Sequence, residues 1–73
     1  MSRIVALGEA ARVAGFALAG VEVIAAEEAA AVIHAWERLT PDAGVLILSP
    51  TASSILESRR AQRPALLTVV MPR

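Results

Sequence analysis

Apolar positions along this chain follow two rhythms. Residues 3–7, "RIVAL", form a short continuous apolar run with β-branched members, the pattern of a strand buried on both faces. Gly8 breaks the run. Residues 9–19, "EAARVAGFALA", then bring Val13, Phe16 and Ala17 at helical spacing. Gly15 weakens such a helix by about 1 kcal/mol relative to Ala, which predicts that a neighbouring backbone comes close there. Phe16 reads as a core anchor. Gly20 stands where the helix should end, as a residue free to take a positive φ. In residues 21–25, "VEVIA", Val21 and Val23 fall on one side and Glu22 on the other, as in an edge strand with one wetter face.

Residues 26–39, "AEEAAAVIHAWERL", carry the clearest helical pattern. Ala29, Val32, Ile33, Trp36 and Leu39 make its apolar stripe. Glu27 and Glu28 lie in the first turn and Arg38 in the last, matching the helix dipole. Residues 40–44, "TPDAG", are turn chemistry. Residues 45–49, "VLILS", are a second wholly apolar strand. Ser49 followed by Pro50 is an N-cap with Pro at the first helical position. The helix it opens covers residues 51–62, with Ala52, Ile55, Leu56 and Ala61 inward. Pro64 precedes a last strand over residues 65–71, and Pro72 stops it.

The alternation is βαβαβαβ with short connections. Right-handed crossovers turn that into a parallel sheet with helices on both faces. The purest apolar strands, around Ile4 and Leu46, belong in the centre; those interrupted by Glu22 and Thr68 belong at the edges. The expected fold is therefore one α/β domain over residues 1–73. It has three layers and three helices, with a four-stranded parallel sheet in order 2-1-3-4, a Rossmann- or flavodoxin-like arrangement.

Composition narrows what such a domain can do. At 73 residues it is marginal as an isolated unit. With no Cys there is no disulfide, and a single His cannot build a structural zinc site. Efficient packing or a partner must supply the stability, and a hydrophobic fraction of 56% suits both. The formal net charge is zero, with one Trp, one Phe and no Tyr. A nucleic-acid surface needs basic excess and stacking platforms, so that class is excluded. The cationic side chains are all Arg, which with the Ala, Val, Gly and Pro content points to codon bias in a GC-rich genome. Residues 13–21 are too few to span a bilayer, and Glu22 closes them. The start of the chain does not read as a signal peptide, because Glu9 and Arg12 break the apolar stretch after Arg3. A cytoplasmic protein without membrane insertion is expected.

Ligands of open α/β sheets bind at the carboxyl ends of the strands where the order reverses. Here that crevice lies between Gly8–Glu9 and Ser49–Thr51. A phospho-acceptor site would need several carboxylates there to hold magnesium, and Glu9 is the single one. A dinucleotide fingerprint needs glycines directly after the first strand; Gly8 is alone, and Gly15 comes two turns later. Ser49 to Ser53 could hold a small anion, though capping explains the same residues. His34 lies off the stripe of Ile33 and Trp36, on a solvated flank with no triad partner. Trp36 reads as a core anchor. Arg59, Arg60 and Arg63 cluster near the end of the third helix, either as dipole partners or as a docking patch for an acidic surface. No catalytic, cofactor or metal residue emerges.

The chain does carry a family resemblance. "IVALGE" followed by "AGFALAGV" resembles the start of the F subunit of the V-type and A-type rotary ATPases, a small component of their central stalk. Gly8, Glu9, Gly15, Phe16, Leu18, Ala19, Gly20 and Val21 stand at the matching places. "AGVLILS" and "RPALLTVVMP" are similar to two later strands of that family. Family members usually continue into a C-terminal helix, so the resemblance is to a shortened form. It implies a non-catalytic rotor component. Such a component binds the coiled-coil subunit of the central stalk, peripheral to the membrane, in a rotor coupling ATP turnover to proton or other ion transport. The expected partner surface combines Glu9, Ser49 and Thr51 with Arg59, Arg60 and Arg63. The competing expectations are a receiver-like sensor of small ligands or anions at the crevice, and a domain that self-associates in isolation.

Overall fold

The structure, a computed structural model, describes residues 3–72. Strand β1 (Arg3–Gly8) is followed by a short helix α1 (Ala10–Val13), which tightens into a 3₁₀ segment (Ala14–Ala19). Next come β2 (Glu22–Ala25), helix α2 (Ala29–Glu37), β3 (Ala43–Leu48) and helix α3 (Pro50–Leu56). A 3₁₀ turn (Arg60–Gln62) leads into β4 (Leu67–Val70). All pairings are parallel and the order is β2-β1-β3-β4, as the sequence predicts.

Side-chain alternation sorts the sheet into two faces. Val5, Leu7, Leu46 and Leu48 point to α2 and α3, where they meet Val32, Trp36, Leu39, Ala52 and Leu56 in the main core. Ala6 and Ile47 point the other way, to a smaller cluster with Val13, Phe16, Val23 and Met71 under α1. Handedness dictates this split. The chain moves one way from β1 to β2 and the opposite way from β2 to β3 to β4. Right-handed crossovers therefore put α1 on one face and α2 and α3 on the other.

Three helix expectations change. The helix expected over 9–19 is α-helical for four residues only, because a Gly at position 15 favours no regular turn and the apolar stripe is thin. Its end is as expected. Gly20 has φ +80°, its N–H donates to the Ala17 carbonyl at 3.2 Å, and the Val21 N–H donates to the Phe16 carbonyl at 3.3 Å. That pair of bonds is a Schellman ending. Phe16 is half-buried and anchors the smaller cluster rather than the main one. Helix α2 starts at Ala29, with Ala29 exposed and Ala35 buried in its place. Helix α3 stops at Leu56, and Ala61 is exposed. Beyond Leu56 the residues are mostly polar, so no apolar face remains to hold a helix on the sheet.

The close approach lies at Gly8, against the Ser49 side chain, and not at Gly15. A Cβ on Gly8 would sit 2.6 Å from both Cβ and Oγ of Ser49, whereas one on Gly15 would meet nothing within 4 Å. Gly8→Ala is expected to cost about 1–3 kcal/mol through overpacking. Gly15→Ala should leave stability unchanged or raise it by up to about 1 kcal/mol. Urea titration of both variants checks the contrast.

Candidate functional site

The carboxyl ends of β1 and β3 hold Glu9 and Ser49 against each other. Ser49 is fully buried. Its hydroxyl donates to Glu9 Oε1 at 2.5 Å and accepts the Ala52 N–H at 3.2 Å, so one side chain both caps α3 and ties it to β1. The Ser49 N–H donates to the Leu7 carbonyl at 3.1 Å. Nearby, Glu27 accepts the Ala10 N–H at 2.7 Å, so this carboxylate serves the start of α1 rather than the solvated start of α2. The crevice expected to receive a ligand is thus filled by its own residues. What stays open is a polar hollow of about 390 Å³ lined by Arg12, Pro50, Thr51 and Ser54. Among the described residues no three Asp, Glu or His side chains converge as metal ligands.

The Ser49 hydroxyl, with help from the backbone, Thr51 and Arg12, holds the Glu9 carboxyl below its ordinary pKa, against a smaller effect of desolvation. A depressed folded-state pKa contributes stability above the unfolded value and loses it as pH falls through the folded one. Thermal midpoints should therefore fall more steeply on acidification in the wild type than in Glu9→Gln. Equal slopes would show that the bond contributes no net stability. Because solvent reaches the carboxylate, the difference is small.

Arg59, Arg60 and Arg63 lie past the far end of α3. Arg63 stacks 5.2 Å over the Trp36 ring centroid and donates to the Leu39 carbonyl at 3.0 Å. It clamps the loop before β4 to the end of α2, which removes it from a free docking patch. Arg59 and Arg60 are half-buried. The six residues expected to form one partner surface therefore fall at two ends of the molecule, Glu9, Ser49 and Thr51 at one and the arginines at the other.

A different surface draws attention. In the β3–β4 register Val45 pairs with Leu67 and Ile47 with Val69, and Ile4 pairs with Val45 across β1 and β3. All five side chains point to the α1 face. Helix α1 and its 3₁₀ extension cover Ala6, Val23 and Ile47 on that face and leave Ile4 on β1 and the β4 side chains open. Ile4 is 45% exposed, Leu67 61% and Val69 46%, and Val70 on the opposite face of β4 is 43% exposed. Purely parallel sheets are covered on both faces almost without exception, so this open patch is anomalous for an isolated domain. The sequence pattern did contain the signal. Three helices split one against two cannot cover both faces of four apolar strands.

Comparison of the chain with protein-family models, with curated proteins and with solved structures finds no match.

Proposed function

We propose that this domain is a non-catalytic binding subunit whose partner is a helix of a coiled-coil stalk protein, the role that the resemblance to the F subunit of rotary ATPases implies. The observation that carries the proposal is the patch of exposed apolar side chains Ile4, Leu67 and Val69, with half-buried Val45 between them. Strands lie about 4.8 Å apart and a helix with its side chains is about 10 Å across, so one helix spans β3 and β4. Completing the burial of each exposed side chain is worth about 1 kcal/mol, half the value for a whole one.

The ligand-sensing alternative finds less support, because Ser49 occupies the crevice where a ligand would lie. Co-expression with the coiled-coil stalk subunit of the same genome, followed by gel filtration, tests the proposal. Co-elution at micromolar concentration, with no ATP hydrolysis by this chain alone, is the expected result. Separate elution counts heavily against it.

A further inference from the structure

The two edges of the sheet complement each other. On β4 the Met71 N–H donates inward to the Leu48 carbonyl at 2.8 Å, and after β2 the Ala26 N–H donates inward to the Gly8 carbonyl at 2.8 Å. In a parallel ladder the N–H and C=O groups of successive residues alternate sides. Thr68 and Val70 therefore turn theirs outward from β4, and Val23 and Ala25 turn theirs outward from β2. The outward positions just beyond, at Leu66, Pro72 and Val21, offer no free donor. Leu66 N–H donates to the Arg63 carbonyl at 3.0 Å, Val21 N–H donates to the Phe16 carbonyl, and Pro72 has none.

Exposed apolar side chains lie on both faces of β4, with Leu67 and Val69 on the α1 face and Val70 on the other. A helix docked on one face leaves Val70 bare, whereas a strand added at the edge adjoins all three. Residues 65–71 carry no charge, and an uncharged edge is a template for another strand.

Level rows run across the sheet. Ile24 lies beside Leu7, Leu7 beside Leu48 and Leu48 beside Val70. If the row continues into a second copy, its Ile24 falls beside Val70, its Val23 beside Val69 and its Glu22 beside Thr68. The faces agree, since Ile24 packs with the main core and Val23 with the cluster under α1. Every outward donor then finds a carbonyl. Thr68 donates to Val21 and Val70 to Val23 of the second copy, whose Val23 and Ala25 donate to Thr68 and Val70. The helices leave room, because α2 and α3 pack on each other over the central strands. On the other face, the second copy's α1 and 3₁₀ segment lie over its own β2 and come to rest beside Leu67 and Val69. Charge agrees as well. Glu22 arrives at the amino end of β4, where Arg59, Arg60 and Arg63 outnumber Glu57.

We propose that this chain assembles head to tail, the β4 edge of one copy pairing in parallel with the β2 edge of the next. The contact joins two different surfaces, so growth runs to a ring or an open filament rather than stopping at a two-fold dimer. The proposal goes beyond the stalk reading and needs no stalk partner, so either can fail without the other.

Sedimentation velocity of the full chain from micromolar to millimolar concentration tests it. The expected result is a mass that rises past two copies, with the Val23, Ala25, Thr68 and Val70 amides gaining protection from hydrogen exchange. Ala25→Pro and Val70→Pro each remove one outward N–H from one edge, a change that edge strands tolerate. Each alone should weaken association at least tenfold. An equimolar mixture of the two variants should form a dimer and nothing larger, because each supplies the edge that the other lacks. Circular dichroism checks folding, and Val70→Lys replaces the proline variant if that one unfolds. A wild type that stays monomeric to millimolar concentration overturns the proposal, as does a mixture of the variants that stays monomeric. Assembly that stops at two copies and survives Ala25→Pro means that β4 pairs with itself, and overturns it too.

Discussion

Replacing Leu67 and Val69 together by Asp should leave the isolated domain folded and weaken its complex with the coiled-coil partner by a hundredfold or more. Both side chains are already about half exposed on an edge strand, so the folded monomer loses little apolar burial. The cost to the free domain is about 1 kcal/mol in strand preference. The cost to the complex is larger, because two carboxylates would be buried against apolar helix residues without partners. A hundredfold loss corresponds to about 2.7 kcal/mol, well within that penalty. Circular dichroism checks folding and isothermal titration checks binding. An Arg59→Glu, Arg60→Glu variant is the comparison. If it abolishes binding while the Leu67, Val69 variant binds normally, the partner docks at the arginine end and the uncovered face is not the interface.

Trp36→Ala should cost about 3–5 kcal/mol. Trp36 is 3% exposed and sits in the main core with Val32, Leu39 and Leu46. Its ring also carries the Arg63 guanidinium, so the substitution releases the clamp that holds the loop before β4. A chain of this size has roughly 4–11 kcal/mol of total stability at typical values per residue. One substitution therefore removes a large share of it. The prediction is a thermal midpoint lowered by tens of degrees, or no folded baseline at room temperature. Arg63→Ala removes the cation–π contact and the hydrogen bond to the Leu39 carbonyl but leaves the ring in place, and should cost about 1–2 kcal/mol. A Trp36→Ala variant that melts within a few degrees of the wild type would show that the core does not depend on this ring.

Much of the fold was legible because its determinants are local or topological. Apolar runs around Ile4 and Leu46 need cover on both faces, which makes them central. Glu22 and Thr68 each tolerate a wetter environment, which places their strands at the edges. Ser49 and Pro50 form a cap whatever surrounds them, and Gly20 ends its segment through its own freedom to take positive φ. Helix extents were less legible. The residues after Leu56 and those around Gly15 have acceptable helical propensity, but propensity is a weak force beside the packing of an apolar stripe. Where the stripe gives out, both helices end early.

The functional surface divides the same way. Composition and spacing alone argued against nucleic acid, structural zinc and phosphate-loop chemistry, because each needs residue types or positions that this chain lacks. They also placed Glu9 and Ser49 at one crevice. That the two side chains close the crevice on themselves depends on Gly8 lying against Ser49, a distance no sequence pattern carries. Arg63 looks like its neighbours Arg59 and Arg60 in the sequence and differs only because Trp36 lies beneath it. Ile4, Leu67 and Val69 are as apolar as Val5, Leu46 and Leu48. Local patterning and the handedness of the crossovers were enough to set which strands exist, their order and their caps. Which of the apolar residues stay uncovered was settled in three dimensions, because exposure depends on where whole helices come to rest on the sheet.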